Sequence, residues 1–271
     1  MKKILIIMTL CFPLIFTGCE TLTNLTESIK STVSEAKNSG KKSDDEKGTS
    51  LKGIARKNTG AVRQNDSAAP SKDADKWDIE SLDTARNVDY LSEVEKDVVL
   101  EMNKARSNPA LYAEMYISPR IKNFNGKTYN KFLLTQEGAT VVEECAKYMA
   151  KAKPLPLLKA EKGLSLAAKD HSSTQGETDK TGHTGIDGST PFTRIGKYGT
   201  YKTAGENIAY GSTQGREIVV DLLIDDGVAN RGHRKNIMNG QFDASGVGFT
   251  KKHKTYGSVC VITYAGGYKD K

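Results

Sequence analysis

Two histidines and one glutamate occupy settings that favour close backbone approach. His183 lies in Gly182-His183-Thr184-Gly185 and His233 follows Gly232. Glu206 lies in Ala204-Gly205-Glu206-Asn207-Ile208-Ala209-Tyr210-Gly211, a stretch otherwise small and mostly apolar. A carboxylate is rarely buried without a partner, and glycine lets the backbone press against its neighbours. The two imidazoles are the nearest candidate partners, so the three residues are expected to matter only if they meet in space. Where a carboxylate faces histidine it raises the imidazole pKa above about 6.5, which makes such a site pH-sensitive.

Other chemistries lack their signatures. The chain has no Gly-x-Ser-x-Gly elbow and no His-Glu-x-x-His helix. Ser172 beside His171, and the serines near His183, supply no nucleophile with an evident base and orienting group. His171 shares an apolar helical stripe with Leu164, Ala168 and Gln175. At such a position a hydrogen-bonded core histidine is more common than a catalytic one.

The elements that must position these residues are read from periodicity. Leu91, Val94, Val98, Met102 and Ala105 predict an amphipathic helix from Leu91 to Arg106. Asn108-Pro109 breaks it, and Pro109 opens a second helix through Met115. Asn125-Gly126 between aromatics predicts a hairpin. A helix follows from about Gln136 to Ala152, with Val141, Cys145, Tyr148 and Met149 inward, and another from about Ala160 to Gln175. A long glycine-rich connection then holds His183, a short helix near Pro191 to Lys197, and the Gly205-Glu206-Asn207 segment. Connections this long are usually functional. Arg216 to Asp225 is helical, and Arg231 to Ile237 is a turn opening a short helix. The end is a hairpin of Ser245–Thr250 and Ser258–Tyr264. Val259, Val261 and Thr263 alternate there against Cys260, Ile262 and Tyr264. Helices followed by neighbouring strands predict an α+β fold with an antiparallel sheet.

The amino-terminal part reads differently. Met1-Lys2-Lys3, an apolar run from Ile4 to Phe16 and then Thr17-Gly18-Cys19 resemble a bacterial lipoprotein signal peptide over residues 1–18. Cleavage would precede Cys19, whose sulfur would carry diacylglycerol. Phe16 stands where Leu is usual. The expectation is an exported protein, anchored to the bacterial cell membrane or outer membrane by an N-terminal lipid. Residues 19–89 are rich in Lys, Ser, Asp, Asn, Gly and Thr and nearly lack aromatics before Trp77. That composition predicts a disordered tether, within which Leu22, Leu25, Ile29 and Val33 recur at helical spacing. Whether Trp77 and Ile79 pack back on the domain is open from sequence. Residues 90–271 remain as one domain with a real core.

The chain carries 40 basic and 33 acidic residues, a net charge of +7. The excess forms no Lys/Arg stripe with interleaved aromatics, so nucleic acid is not an expected partner; weak attraction to anionic surfaces is. Of four cysteines, Cys11 leaves with the signal peptide and Cys19 takes the lipid. Cys145 and Cys260 form a candidate disulfide in an exported protein, or two buried thiols.

Read together, Gly182-His183-Thr184-Gly185, Gly205-Glu206-Asn207-Ile208-Ala209, Gly232-His233-Arg234-Lys235-Asn236-Ile237 and the closing strand resemble the CAP superfamily. These are the cysteine-rich secretory, antigen 5 and pathogenesis-related proteins, also called the SCP domain. The likeness runs from about Leu91 to Tyr268. It implies a three-layer α-β-α sandwich with a central antiparallel sheet. It also implies a cleft lined by His183, Glu206, His233 and a second acid, aligned with Asp225 although Asp226 is adjacent. Glu is usual there, and Leu222 stands where that helix often has tryptophan.

Two imidazoles and two carboxylates are competent to bind Zn2+ or another divalent cation, with His183 and His233 as the implied metal ligands. They are equally competent to fix the cleft by Glu–His hydrogen bonds. Arg234 is expected as a surface or capping residue. The resemblance favours a non-enzymatic cell-envelope module that binds a lipid, sterol or protein partner. Alternatives are a metal-dependent or Ser/His-type hydrolase and a structural or adhesive surface protein.

Overall fold

The computed structural model describes residues 76–271. The signal sequence read over 1–18, the lipidation site Cys19 and the tether as far as residue 75 lie outside the described residues. Within them the chain forms the expected α+β sandwich, a sheet between two helical layers.

Ser92 opens the first long helix, α2 (Glu93–Ser107), where the Glu95 carboxylate takes the Ser92 backbone N–H at 2.7 Å. A four-residue helix precedes it, α1 (Ile79–Leu82), and α3 (Pro109–Tyr112) follows, running on through a wide turn (Ala113–Ile117) and a tight one (Ser118–Asn123). Asn125-Gly126 makes the expected hairpin, β1 (Phe124–Asn125) with β2 (Thr128–Tyr129), and β3 (Leu133–Leu134) completes a small sheet. Then come α4 (Ala139–Lys151), β4 (Lys159–Ala160), α5 (Lys162–Thr178), α6 (Pro191–Tyr198) and β5 (Gly199–Thr200). The rest is β6 (Thr203–Tyr210), α7 (Gly215–Ile224), α8 (Gly232–Ile237), β7 (Ala244–Thr250), β8 (Val259–Gly266) and β9 (Lys269–Asp270).

The central sheet has the order β4-β7-β8-β6. Its three long strands pair antiparallel, and β4 joins β7 in parallel through two residues, a small departure from the all-antiparallel expectation. The alternation read along β8 separates the layers. Cys260, Ile262 and Tyr264 enter the main core with α2, α4 and α7. Val259 and Val261 pack with Ala168 of α5, and Ala265 packs with Leu164 and Ala167. Helix α5 lies almost on the backbone of β7. A Cβ on Gly246 would fall 2.1 Å from the Leu164 carbonyl carbon, and one on Gly248 2.5 Å from that of Ala168. Those two glycines set the helix–sheet distance.

Three expectations are corrected. Residues 76–89, assigned to the tether, pack on the domain. Trp77 is buried, donates to the Tyr116 hydroxyl at 3.1 Å and stacks on its ring. The buried Asn103 amide donates to the carbonyls of Leu82 and Leu158. Periodicity missed this because the buried residues Trp77, Leu82 and Ala85 are few and unevenly spaced, and side-chain hydrogen bonds hold the rest. Tyr148, predicted inward, is 42% exposed, its ring lying against the Arg234 guanidinium. Cys145 and Cys260 are buried thiols, not a disulfide. Cys145 donates to the Leu223 carbonyl at 3.1 Å, and burial pushes its pKa up to about 12. Among the described residues the core runs from Trp77 to Ala265.

Arg106 on α2 closes the irregular segments. Fully buried, it donates to the carbonyls of Pro156, Ile237, Asn239 and Phe242 at 2.7–2.9 Å. These carbonyls lie outside the sheet ladders, and burial lowers the Arg106 pKa to about 10. Each carbonyl left unsatisfied costs about 1–3 kcal/mol. Arg106→Met should therefore lose at least about 3 kcal/mol of stability, read as a lower urea midpoint at unchanged slope. A loss below about 1 kcal/mol would mean that water replaces the guanidinium.

Candidate functional site

Gly205-Glu206-Asn207, read from sequence as part of a loop, is the middle of β6, the edge strand of the sheet. Edge position explains the miss, because few apolar residues alternate there. Glu206 pairs with Thr263 of β8 and Asn207 with Ile262, so their side chains leave opposite faces. Each face meets one of the predicted histidines.

On the α5 face, Glu206 accepts from His183 Nδ1 at 2.8 Å and from Arg194 Nη2 at 2.9 and 3.1 Å. The Glu206 side chain is 1% exposed and that of His183 24%. Arg194, on α6, also donates to the His183 carbonyl and to Ser189, fixing the loop between them. On the other face, Asn207 donates to the His233 carbonyl at 3.0 Å and the Tyr264 hydroxyl at 3.1 Å. Asn236 of α8 donates to Asn207 Oδ1 at 2.8 Å and to the Glu206 carbonyl, which occupies one outward backbone group of the edge strand.

His233 belongs to a second dyad. Its Nδ1 is 2.6 Å from Asp225 Oδ1, and its backbone N–H donates to Asp225 Oδ2 at 2.9 Å. Asp225 is fully buried and ends α7 in a left-handed conformation, φ +61°. Asp226 instead takes the N–H groups of Gln136 and Glu137, ahead of α4. Asp225 is thus the acid that meets His233. Arg234 is buried, not at the surface. It caps α7, donating to the carbonyls of Leu223 and Ile224, and pairs with Glu144.

The four residues come together as two His–carboxylate dyads flanking β6, linked through Asn207. Among the described residues no three His, Cys, Asp or Glu side chains are placed to hold a metal ion. The carboxylates orient the imidazoles, so a cation would depend on His183 and His233. With Nδ1–H facing the carboxylate, the unshared pair lies on Nε2; hydrogen-bond geometry assigns this tautomer. Two surface cavities, of about 360 and 300 Å3, lie elsewhere, and neither is lined by the dyads.

A polar cluster supports the His183 loop. The Gly182 carbonyl is 2.8 Å from His171 Nε2 and accepts from the Gln175 amide, while Gly182 N–H donates to the Tyr210 hydroxyl. His253, buried and not singled out from sequence, pairs with Asp179 at 2.7 Å. His171 is a core histidine, as expected. Ser172 donates to the Lys169 carbonyl, so the Ser–His pairing weighed from sequence is not made. Arg194, Asn207 and Asn236 were also missed; no motif distinguishes a buried Arg or Asn from a surface one.

Two predictions follow from these contacts. Arg194→Met leaves Glu206 with one partner in the interior and should cost about 3–5 kcal/mol, most of it recovered in Arg194→Met/Glu206→Gln. Denaturation of the four proteins gives the coupling, and additive losses would show that the pair is not coupled. Burial lowers the His171 pKa below its usual value. The unfolded chain therefore binds a proton that the folded chain resists, and stability falls as pH drops below about 6.5. His171→Gln should flatten the loss between about pH 7 and 5.5 in urea unfolding; an unchanged slope assigns the dependence to other groups.

The model of the cysteine-rich secretory protein family matches residues 100–264. The Bacillus subtilis (strain 168) protein YkwD is 34% identical over 95 residues, 35% of this chain and 35% of its own, so the chain spans about a third of that relative. An extracellular SCP-domain protein of Bacillus anthracis str. Ames aligns at 25% identity and a TM-score of 0.35, over 47% of this chain and 38% of that one. Venom allergen-like protein 4 of Schistosoma mansoni aligns at 17% identity and 0.36, over 67% and 97%. A family match across most of the folded part is what the spaced His and Glu motifs lead to, and the chain belongs to the cysteine-rich secretory protein family, the CAP superfamily.

Proposed function

We propose that this chain is an exported, lipid-anchored binding module of the cell envelope, holding a lipid, sterol or protein partner on the CAP scaffold. The observation that carries this reading is the burial of both carboxylates. Glu206 is committed to Arg194 and His183, and Asp225 to backbone N–H groups and His233. Neither carboxylate is placed to exchange protons with a substrate, so the dyads serve as rigid supports. His183 is the member with appreciable exposed surface, and it is the one expected to touch a partner. Export and anchoring rest on the lipobox-like Thr17-Gly18-Cys19.

The test is affinity capture from native membranes of the source cell, followed by mass spectrometry, with His183→Ala alongside wild type. A lipid or protein retained by wild type and reduced several-fold in the variant is expected. Equal recovery with both would remove the dyad from the binding role. Peptidase or esterase turnover abolished by Glu206→Gln would replace the reading with an enzymatic one. The mature N-terminus should begin at acylated Cys19, and an unmodified Cys19 would sink the anchor.

One observation favours a second use. Carboxylates on Nδ1 orient both imidazoles as they are oriented in metal sites. On that reading Zn2+ raises the melting temperature of wild type, and the rise disappears in His183→Ala and His233→Ala. No rise in wild type excludes it.

A further inference from the structure

Away from the dyads, the carboxyl end of α4 and the chain after α8 enclose an apolar groove of about 300 Å3. Tyr148, Ala152, Leu155 and Met238 form its walls, and Lys151 and Lys153 its rim. Lys147 is exposed one turn before Lys151 on the same helix. None of these three lysines makes an ion pair with a carboxylate among the described residues. Tyr148 is 42% exposed yet held in place, its ring 5.3 Å from the Arg234 guanidinium carbon. Arg234 is itself anchored by Glu144 and the end of α7. The result is a fixed aromatic edge beside an apolar trough, with two lysines on its rim.

We infer that this face docks on an anionic lipid surface. The chemistry matches at each level. Tyrosine is suited to the boundary between headgroups and acyl chains, where one end is apolar and the other wet. Lysines can cover apolar surface with their stems while their ammonium groups meet phosphate. A protein partner would be expected to find acids interspersed among the bases. The groove's own rim carries only Lys151 and Lys153, and Glu144, one turn before Tyr148, is committed to Arg231 and Arg234. Lys151 also suits the negative end of α4, but Lys153 lies beyond that helix and Tyr148 is exposed on its side, so a helix-end role does not account for the face. The inference does not rest on the lipid anchor, because the face lies within the described residues 76–271.

The test uses the chain from residue 19 onward, made unacylated as Cys19→Ser, with phosphatidylglycerol-rich and pure phosphatidylcholine vesicles in a co-sedimentation assay. Binding to the anionic vesicles, weakened by salt and absent from the neutral ones, is expected. Lys151→Gln/Lys153→Gln should weaken it roughly 25-fold, at about fivefold per lysine, and Tyr148→Ser should weaken it further. Lys251→Gln/Lys252→Gln, an equal charge change in the exposed turn between β7 and β8, should have little effect. Equal losses from the two double variants would mean diffuse attraction and overturn the inference, as would equal binding to both vesicle types. A dimer in sedimentation velocity that Tyr148→Ser dissociates would show instead that the face joins two copies of the chain.

Discussion

Asp225 joins the end of one helix, the start of the next and the aim of an imidazole. Its carboxylate takes the backbone N–H groups of His233 and Arg234 and the Nδ1 of His233. These are amino-terminal donors of α8, which have no partners within that helix. The Arg234 guanidinium returns the favour by taking the carbonyls of Leu223 and Ile224 at the end of α7. Two sets of orphaned backbone groups are thus satisfied by exchange across one turn. The left-handed backbone at Asp225 costs a non-glycine residue of order 1 kcal/mol, which three hydrogen bonds on one carboxylate offset. Asp reaches because it occupies the helix end itself.

Buried arginines play the same part elsewhere. Arg106 gathers carbonyls from the chain before β4, the end of α8 and the segment after it, and Arg194 joins Glu206 to the loop of His183. A guanidinium is planar, has five N–H donors and stays charged when buried. It can therefore satisfy several carbonyls that no strand or helix is placed to meet. Segments outside regular structure stay ordered because a few side chains complete their hydrogen bonding.

That division decides what could be read in the sequence. Helices α2, α4, α5 and α7 and the hairpin of β7 and β8 were legible because apolar burial leaves a period in the chain. The dyad histidines and Glu206 were legible through their glycine neighbours and their order. Edge strand β6 was not, since its inward residues include Glu206 and Asn207, and their polarity is compensated only in three dimensions. Nor was the fold of residues 76–89, where Trp77, Leu82 and Ala85 are buried at uneven spacing and the contacts of Asn103 hold the rest. The choice between Asp225 and Asp226 could not be made locally, because Asp226 is occupied by a segment some ninety residues earlier in the chain. Cys145 and Cys260 carry no spacing that tells a bridge from two thiols.

The two dyads differ in what surrounds them, and the difference bears on function. His233 is 6% exposed, and its dyad is part of the frame between α7, α8 and β6. His183 is about a quarter exposed and stands on a connection without regular structure. Such a connection would ordinarily be mobile. This one is pinned at Asp179 by His253, at Gly182 by His171, Gln175 and Tyr210, and at the His183 carbonyl by Arg194. A partner touching His183 would meet a side chain whose position is already set, so little ordering entropy would be lost on binding. The buried polar cluster beneath the loop thereby converts a surface histidine into a preorganised contact.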